Sequence, residues 1–332
     1  MKAVVTGGAG FIGSHLCDHL IAQGHEVIAL DDLSTGSESN LEQLSGNPKF
    51  ELVKGSILDK ALVGAVVAEA DTVFHLAAAV GVHTIVDKPL ESLRVNLHGT
   101  ENVVEAAVRR GARYLVASTS EVYGKNDADG LTEDADRVLG SALKSRWSYA
   151  AAKGLDELVA YVHGGDSGLP CVITRFFNIV GPRQTGRYGM VVPRFVEQAL
   201  NGEPITVHGE GTQRRCFGSV FDVVPALPLL LDTPAAHNRA VNLGGLEEVS
   251  IVELAARVIA LTGSTSELRF VPYEEAYGEG YEDMRRRMPD TSLAAELIGY
   301  APTRRLDDII LSIVEHHRAG AGDLPAPRAA VA

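Results

Sequence analysis

The chain has 332 residues, 45% of them hydrophobic and 22% charged, with a formal net charge of -13. That length and composition suit a globular protein with a well-filled core. The acidic balance excludes a broad nucleic-acid surface, which needs an extended basic face, but leaves room for a nucleotide held by a few arginines or helix N-termini.

Residues 3–6, Ala3-Val4-Val5-Thr6, are an apolar run of the kind buried in a parallel sheet. A glycine turn follows, then a helix predicted over residues 11–22. Further strands are predicted at residues 26–30, 50–54, 72–76, 114–118 and 171–175, with helices at 89–109 and 149–162 between them. Strands alternating with helices predict a Rossmann-type, doubly wound α/β fold, a parallel sheet covered on both faces. From about residue 181 the pieces become shorter, with a strand at 205–208 and helices near 192–200, 251–261 and 306–317. The expected organisation is a dinucleotide-binding domain over 1–180, a smaller mixed substrate lobe over 181–318, and a returning segment near 222–242 that rejoins the sheet. Residues 319–332, rich in Ala, Gly and Pro, are expected to be a disordered tail. No apolar stretch reaches membrane-spanning length, and the first residues run straight into strand and turn, so neither membrane anchor nor secretory leader is expected. Cys17, Cys171 and Cys216 lack C-x-x-C spacing and the histidines lack metal-ligand spacing, so no metal site is expected and a reducing, cytoplasmic setting fits.

Thr6-Gly7-Gly8-Ala9-Gly10-Phe11-Ile12-Gly13 lies between the first strand and the first helix. Gly7, Gly10 and Gly13 are spaced for a tight turn, close approach of backbone to a pyrophosphate, and close helix-to-strand packing. Glycine clusters also make ordinary turns, but here the strand before and the helix after are the context a dinucleotide site requires. The second strand ends in Leu30-Asp31-Asp32. An acid there binds both ribose hydroxyls and repels a 2′-phosphate, so NAD is expected rather than NADP, through Asp31 more than Asp32.

Tyr149 and Lys153 stand at i and i+4 at the start of a predicted helix, hence on one face. A phenol is a poor base at its ordinary pKa of about 10, and a nearby lysine cation lowers that value. The pair can then take a proton from a hydroxyl while hydride leaves the same carbon. Upstream, Ser118-Thr119-Ser120-Glu121-Val122-Tyr123-Gly124 lies just past a predicted strand end, where open α/β sheets bind ligands.

With these three features the sequence resembles the extended short-chain dehydrogenase/reductase family that modifies nucleotide sugars, along nearly the whole chain to about His317. The resemblance implies tightly held NAD and transient oxidation at C4 of the sugar. Tyr149 and Lys153 match the family's catalytic pair, and Thr119 the hydroxyl that bonds the reacting oxygen. Phe74-His75-Leu76-Ala77-Ala78 and Asn96 match cofactor-side motifs, while Gly55-Ser56-Ile57 carries Ser56 where an aspartate usually recognises adenine. Ser120-Glu121 follows the threonine where 4,6-dehydratases carry Asp-Glu; serine cannot protonate a leaving hydroxyl as an aspartic acid does, which speaks against a dehydratase.

Two reactions stay open. The Ser118 to Gly124 string, Arg146-Trp147-Ser148-Tyr149, Gln213-Arg214-Arg215-Cys216-Phe217, and Tyr277-Gly278-Glu279-Gly280-Tyr281 leading into Arg287-Met288-Pro289-Asp290 are similar to UDP-glucuronate decarboxylases. Oxidised at C4, a glucuronate becomes a β-keto acid that loses carbon dioxide, and Ser120 or Glu121 is the candidate proton donor to C5. Ala79-Val80-Gly81-Val82-His83-Thr84, however, looks more like a UDP-sugar 4-epimerase. On the substrate side the resemblance implies Asn178, Arg215 and Arg287, with Val82 and Val192 as lining candidates. Arg285 and Arg286 read as a solvated run balancing Glu279, Glu282 and Asp283. A catalytically dead NAD-binding module would be expected to lack Tyr149 or Lys153, and both are present. The resemblance further implies a homodimer packed through the helices at 89–109 and 149–162.

Overall fold

The central strands of the main sheet are built from residues that are apolar on both faces, as in Ala3-Val4-Val5 and Tyr114-Leu115-Val116. The computed structural model describes residues 1–80, 88–186, 190–277 and 282–320. Strands β1 (Lys2–Thr6), β2 (Glu26–Asp31), β3 (Phe50–Lys54), β4 (Thr72–His75), β5 (Arg113–Thr119) and β6 (Cys171–Phe177) pair in parallel. Helices α1 (Phe11–Ala22), α2 (Lys60–Val67), α3 (Pro89–Arg110) and α4 (Ser148–Ser167) are the crossovers among them. Successive side chains of a strand point to opposite faces. Ala3, Val5, Ala29, Phe74 and Leu115 accordingly pack with Leu16, Cys17 and Leu20 of α1, while Val4, Leu30, Val73 and Tyr114 pack with Val63 of α2 and Val103, Val104 and Ala107 of α3. Burial of each such aliphatic side chain stabilises the fold by roughly 1.5–3 kcal/mol. Helix α3 opens with Pro89 in its first turn and closes on Gly111 in the left-handed conformation, φ 71°, the punctuation a helix of this length needs.

After β6 the chain leaves the sheet through β7 (Ile179–Val180), α5 (Val191–Leu200), β8 (Ile205–His208), β9 (Arg214–Cys216), β10 (Gly218–Ser219) and α6 (Ala226–Asp232). It then returns as β11 (Arg239–Gly244), parallel to β6, and completes the order β11-β6-β5-β4-β1-β2-β3. β12 (Glu248–Ser250), α7 (Ile251–Thr262), β13 (Leu268–Val271), β14 (Arg286–Arg287), α8 (Ser292–Ile298) and α9 (Leu306–Gly320) follow. A separate core joins Phe195 and Val196 of α5, Leu254 and Val258 of α7, and Ile309 and Ile313 of α9 to Ile205 and Val207 of β8.

Strand β9 lies between β12, antiparallel, and β14, parallel, and the register sets Arg287 beside Arg215 and Arg286 beside Arg214. Strands β5 and β6 run on to Thr119 and Phe177, beyond the expected ends at 118 and 175. Helix α9 continues to Gly320, so Ala319 and Gly320 are helical rather than the start of a disordered tail; its backbone bonds propagate past the last buried apolar position. Residues 321–332 lie outside the described residues.

Candidate active site

The order of the sheet reverses where β1 lies between β2 and β4, and a cleft of about 850 Å³ opens at the carboxyl ends of these strands and of β5 and β6. One end is made by the glycine turn. Gly7 has φ +70°, and a Cβ there would come within 2.8 Å of the Ala77 nitrogen; one at Gly13 would lie 2.0 Å from the Gly7 carbonyl. Only glycine permits this closeness. Helix α1 starts from an extended Gly10 with no side-chain cap, so its first-turn N–H groups are available to an anion.

Asp31 is buried on the cleft wall, Oδ2 accepting from Ala9 N at 2.9 Å and Oδ1 from Leu33 N at 2.8 Å. Burial raises its pKa against the lowering by those N–H groups. Asp32 lines the cleft from an exposed position and accepts from Ser34 N. Phe11, Ile12, Ile57, Leu76, Ala77 and Ala78 supply apolar wall. The donor groups, the carboxylate and this wall fit a dinucleotide such as NAD.

Two residues expected to line this end do not. Ser56 accepts from Leu58 N at 3.3 Å and is not on the cleft wall, so the departure from aspartate falls on a loop turn. Asn96, on α3, is buried behind the wall, its Oδ1 accepting from Ala79 N at 2.9 Å and its Nδ2 donating to Ala79 O. Asn96 shapes the turn after β4 from behind.

At the centre, Thr119 closes β5 and its Oγ1 accepts from Glu121 N at 3.2 Å, starting a short turn. Tyr149 and Lys153 lie on one face of α4, and both line the cleft beside Thr119, Ser120 and Glu121. Burial and the negative charges of Glu121 and Asp156 hold the Tyr149 phenol above its ordinary value, the reverse of the lowering expected from the lysine four residues on, because Lys153 is itself engaged by Asp156. Lys153 Nζ stands 3.1 Å from Asp156 Oδ2, both side chains buried. His75 Nδ1 is 2.7 Å from Thr6 Oγ1 and its Nε2 3.0 Å from Thr100 Oγ1. Burial, with the charge of Lys153, pushes its pKa down to about 3, so the ring is neutral. Glu157 binds Arg175 at 2.8 and 2.7 Å and accepts from Ser118 Oγ, tying α4 to β5 and β6.

Three arginines gather around Ser120. Arg146 is buried with Nη1 2.6 Å from Glu121 Oε2, and its guanidinium lies over the Trp147 ring. Arg215 Nη2 is 3.1 Å from Asp283 Oδ2. Arg287 Nη1 donates to Ser120 Oγ at 3.2 Å and lies 3.7 Å from Glu121 Oε1. Its Nε is buried without an acceptor among the described residues. Burial and the neighbouring Arg215 pull Arg287 down to about 10. For Glu121, burial pushes upward, but Arg146, Arg287 and Arg215 outweigh it and hold the carboxyl below its ordinary range.

Asn178, with φ 42°, donates through Nδ2 to Cys216 O at 2.9 Å, and Val192 is buried on the same wall. Val82 and His83 fall within 81–87, outside the described residues. Arg286 is turned to Glu248, 2.5 Å from its Nε, and to Asp129; of the acids expected to balance it, Glu282 instead holds Lys125 and Lys144, Asp283 faces Arg215, and Glu279 lies outside the described residues.

Sequence reasoning took Asp283 only as an acid balancing the arginine run and Tyr277 only as part of a motif, and did not single out Arg194 or His208; on the same wall Arg194 Nη1 is 2.6 Å from His208 Nε2 and His208 Nδ1 2.8 Å from Tyr277 OH. Their partners are distant in sequence; the only local signal was Arg146, three residues before Tyr149. Among the described residues there is no cluster able to hold a metal ion, and no helix is long and apolar enough to cross a membrane.

Comparison with known proteins agrees with this geometry. The chain is 40% identical over 302 residues to a UDP-N-acetyl-alpha-D-glucosaminuronate decarboxylase of Bacillus cytotoxicus, covering 91% of this chain and 92% of that one. It is 34% identical over 335 residues to UDP-glucuronic acid decarboxylase 1 of Danio rerio, covering 99% and 77%. The fold superimposes with a TM-score of 0.86 on UDP-glucuronic acid 4-epimerase from Bacillus cereus, solved with UDP-glucuronic acid and NAD, at 28% identity over 96% of this chain and 99% of that one. Residues 3–244 match the sequence profile of one family, and the chain belongs to it: the NAD dependent epimerase/dehydratase family.

Proposed function

We propose that this enzyme decarboxylates a UDP-linked uronate, UDP-glucuronate or its 2-acetamido counterpart, after oxidation at sugar C4, giving UDP-xylose, its 4-keto form or the matching 2-acetamido sugar. The observation that carries the reading is the set of three arginines, Arg146, Arg215 and Arg287, against two carboxylates, Glu121 and Asp283, around Ser120. The excess positive charge in a buried setting suits an anionic sugar. Two relatives named as decarboxylases of UDP-uronates support it.

Bound NAD supplies the hydride acceptor for C4. Tyr149 takes the O4 proton in its ionised form, which the Lys153 cation on the same helix face favours against the burial that opposes it, and the Thr119 hydroxyl bonds the same oxygen. The ketone formed at C4 is β to the C6 carboxylate, so the C5–C6 bond breaks with its electron pair drawn into the C4 carbonyl. Carbon dioxide leaves, and C5 must collect one proton before hydride returns. Glu121, held as a carboxylate by Arg146 and Arg287, has no proton to give. Ser120 accepts from Arg287 and keeps its own hydrogen, so Ser120 is the donor to C5; the Arg287 guanidinium next to it stabilises the alkoxide left behind until solvent returns the proton. Glu121 holds the two arginines.

The second reading, 4-epimerisation, is favoured by the likeness to the solved UDP-glucuronic acid 4-epimerase. Incubation with UDP-glucuronate and its 2-acetamido counterpart in heavy water separates the two. The expected product has lost the mass of carbon dioxide and carries one solvent deuterium at C5. A product of full mass without label makes the enzyme an epimerase.

We also propose a homodimer. Helices α3 and α4 pack side by side, and α4 turns Leu155, Leu158, Tyr161 and Val162 outward, each about half exposed. An apolar stripe of this kind on one helix face marks an association surface.

A further inference from the structure

Tyr149, Lys153 and Asp156 occupy positions i, i+4 and i+7 of α4 and therefore share one face. Asp156 is only 1% exposed, and a carboxylate taken out of water needs a compensating charge or several hydrogen bonds. Among the described residues neither of its oxygens makes a well-directed hydrogen bond. Its compensation is the Lys153 ammonium at 3.1 Å, with the Thr100 hydroxyl of α3 turned toward it. Thr100 in turn bonds His75, which is neutral and brings no second positive charge.

Resting on the functional reading above, we propose that Asp156 is a positioning residue of the proton-transfer pair: its carboxylate anchors the Lys153 ammonium, which is thereby shared between Asp156 and Tyr149. An anchored ammonium is held in register with the phenol and the cofactor. The same anchoring weakens its pull on the phenolate, since one positive charge then serves two negative groups. Asp156 acts as a brake on Tyr149 ionisation as well as an anchor.

The other charged and titratable groups facing this set are paired or neutral, and since Asp156 also raises the buried Tyr114 phenol, any change there is common to each protein and its Tyr149→Phe derivative. Glu121, beside Tyr149, is paired with Arg146. Glu157 on α4 is paired with Arg175. Tyr114 of β5 and Cys171 of β6 are buried and neutral, the thiol pushed up to about 12 by burial. His75 of β4 is neutral as well.

The test needs no sugar. The NAD-loaded protein is titrated with alkali, and the Tyr149 phenolate is read as the ultraviolet difference between each protein and its Tyr149→Phe derivative. Asp156→Asn removes the charge at nearly constant shape and should move the Tyr149 midpoint to lower pH by about one unit. Asp156→Ser, smaller and equally uncharged, carries the same expectation if the amide variant does not fold. A merely structural ion pair would reduce the yield of folded protein and leave the midpoint in place; a midpoint unmoved in the folded variant overturns the proposal. Failure of the wild type to reduce its NAD with any UDP-uronate would sink the functional reading instead, and leaves this measurement standing.

Discussion

Arg286 and Arg287 are adjacent in sequence and point to opposite sides of β14. Arg287 reaches Ser120 inside the cleft, whereas Arg286 pairs with Glu248 and Asp129 at the periphery. Truncating one member of a buried charge cluster costs about 3–5 kcal/mol because its partners are left uncompensated, while a partly exposed pair is worth about 0–1 kcal/mol. Arg287→Ala should therefore lower kcat/KM for carbon dioxide release by at least about a hundredfold, and Arg286→Ala by less than about threefold. Equal losses at the two positions would mean that the cleft arginine has been misassigned. That Tyr149, Lys153 and Thr119 share one cleft wall was legible in the sequence because their placement depends on spacing within one helix turn or one strand end. The pairing of Asp283 with Arg215 and the Arg194–His208–Tyr277 chain were not, because each needs a partner brought in by another element. Asn96 was legible as part of the cofactor side but not in its manner of acting, since only the packed structure shows it holding Ala79 from behind.

The strands of the main sheet could be read from single apolar runs, because burial on both faces leaves little room for polar residues. The sheet β12-β9-β14 could not: its strands are two or three residues long and come from distant segments, so no periodicity develops. Yet that small sheet is what sets Arg215 beside Arg287. Helix α4 has a comparable double role, carrying Tyr149 and Lys153 on its inner face and the stripe of Leu155, Leu158, Tyr161 and Val162 on its outer one. Leu158→Glu places a charge at the centre of that stripe and should weaken dimerisation at least about tenfold, some 1.4 kcal/mol or more. Sedimentation of wild type and variant over a concentration series checks this, and a wild type that stays monomeric throughout removes the proposed interface.

At the scale of the whole molecule, acid sensitivity should come in part from His75. Its folded pKa is about 3 against an ordinary value of 6.5, so below 6.5 the unfolded chain binds a proton that the folded protein refuses. The stabilisation is present above pH 6.5 and is lost as pH falls toward 3, at up to about 1.4 kcal/mol per pH unit. His75→Asn cannot take up that proton, so its urea midpoint should fall less between about pH 7 and about pH 5 than that of the wild type. A variant as acid-sensitive as the wild type would remove His75 from this account. The edge strand β11 has a different consequence, for synthesis on the ribosome. It joins the sheet beside β6 only after the chain has passed through β7, α5 and β8 to β10. The nascent cofactor-binding half therefore emerges with the edge of β6 unpaired, and it must wait for Gly244 to clear the exit tunnel before that edge is covered. Translational pausing before that point would prolong the time in which an open strand edge is exposed to other nascent chains.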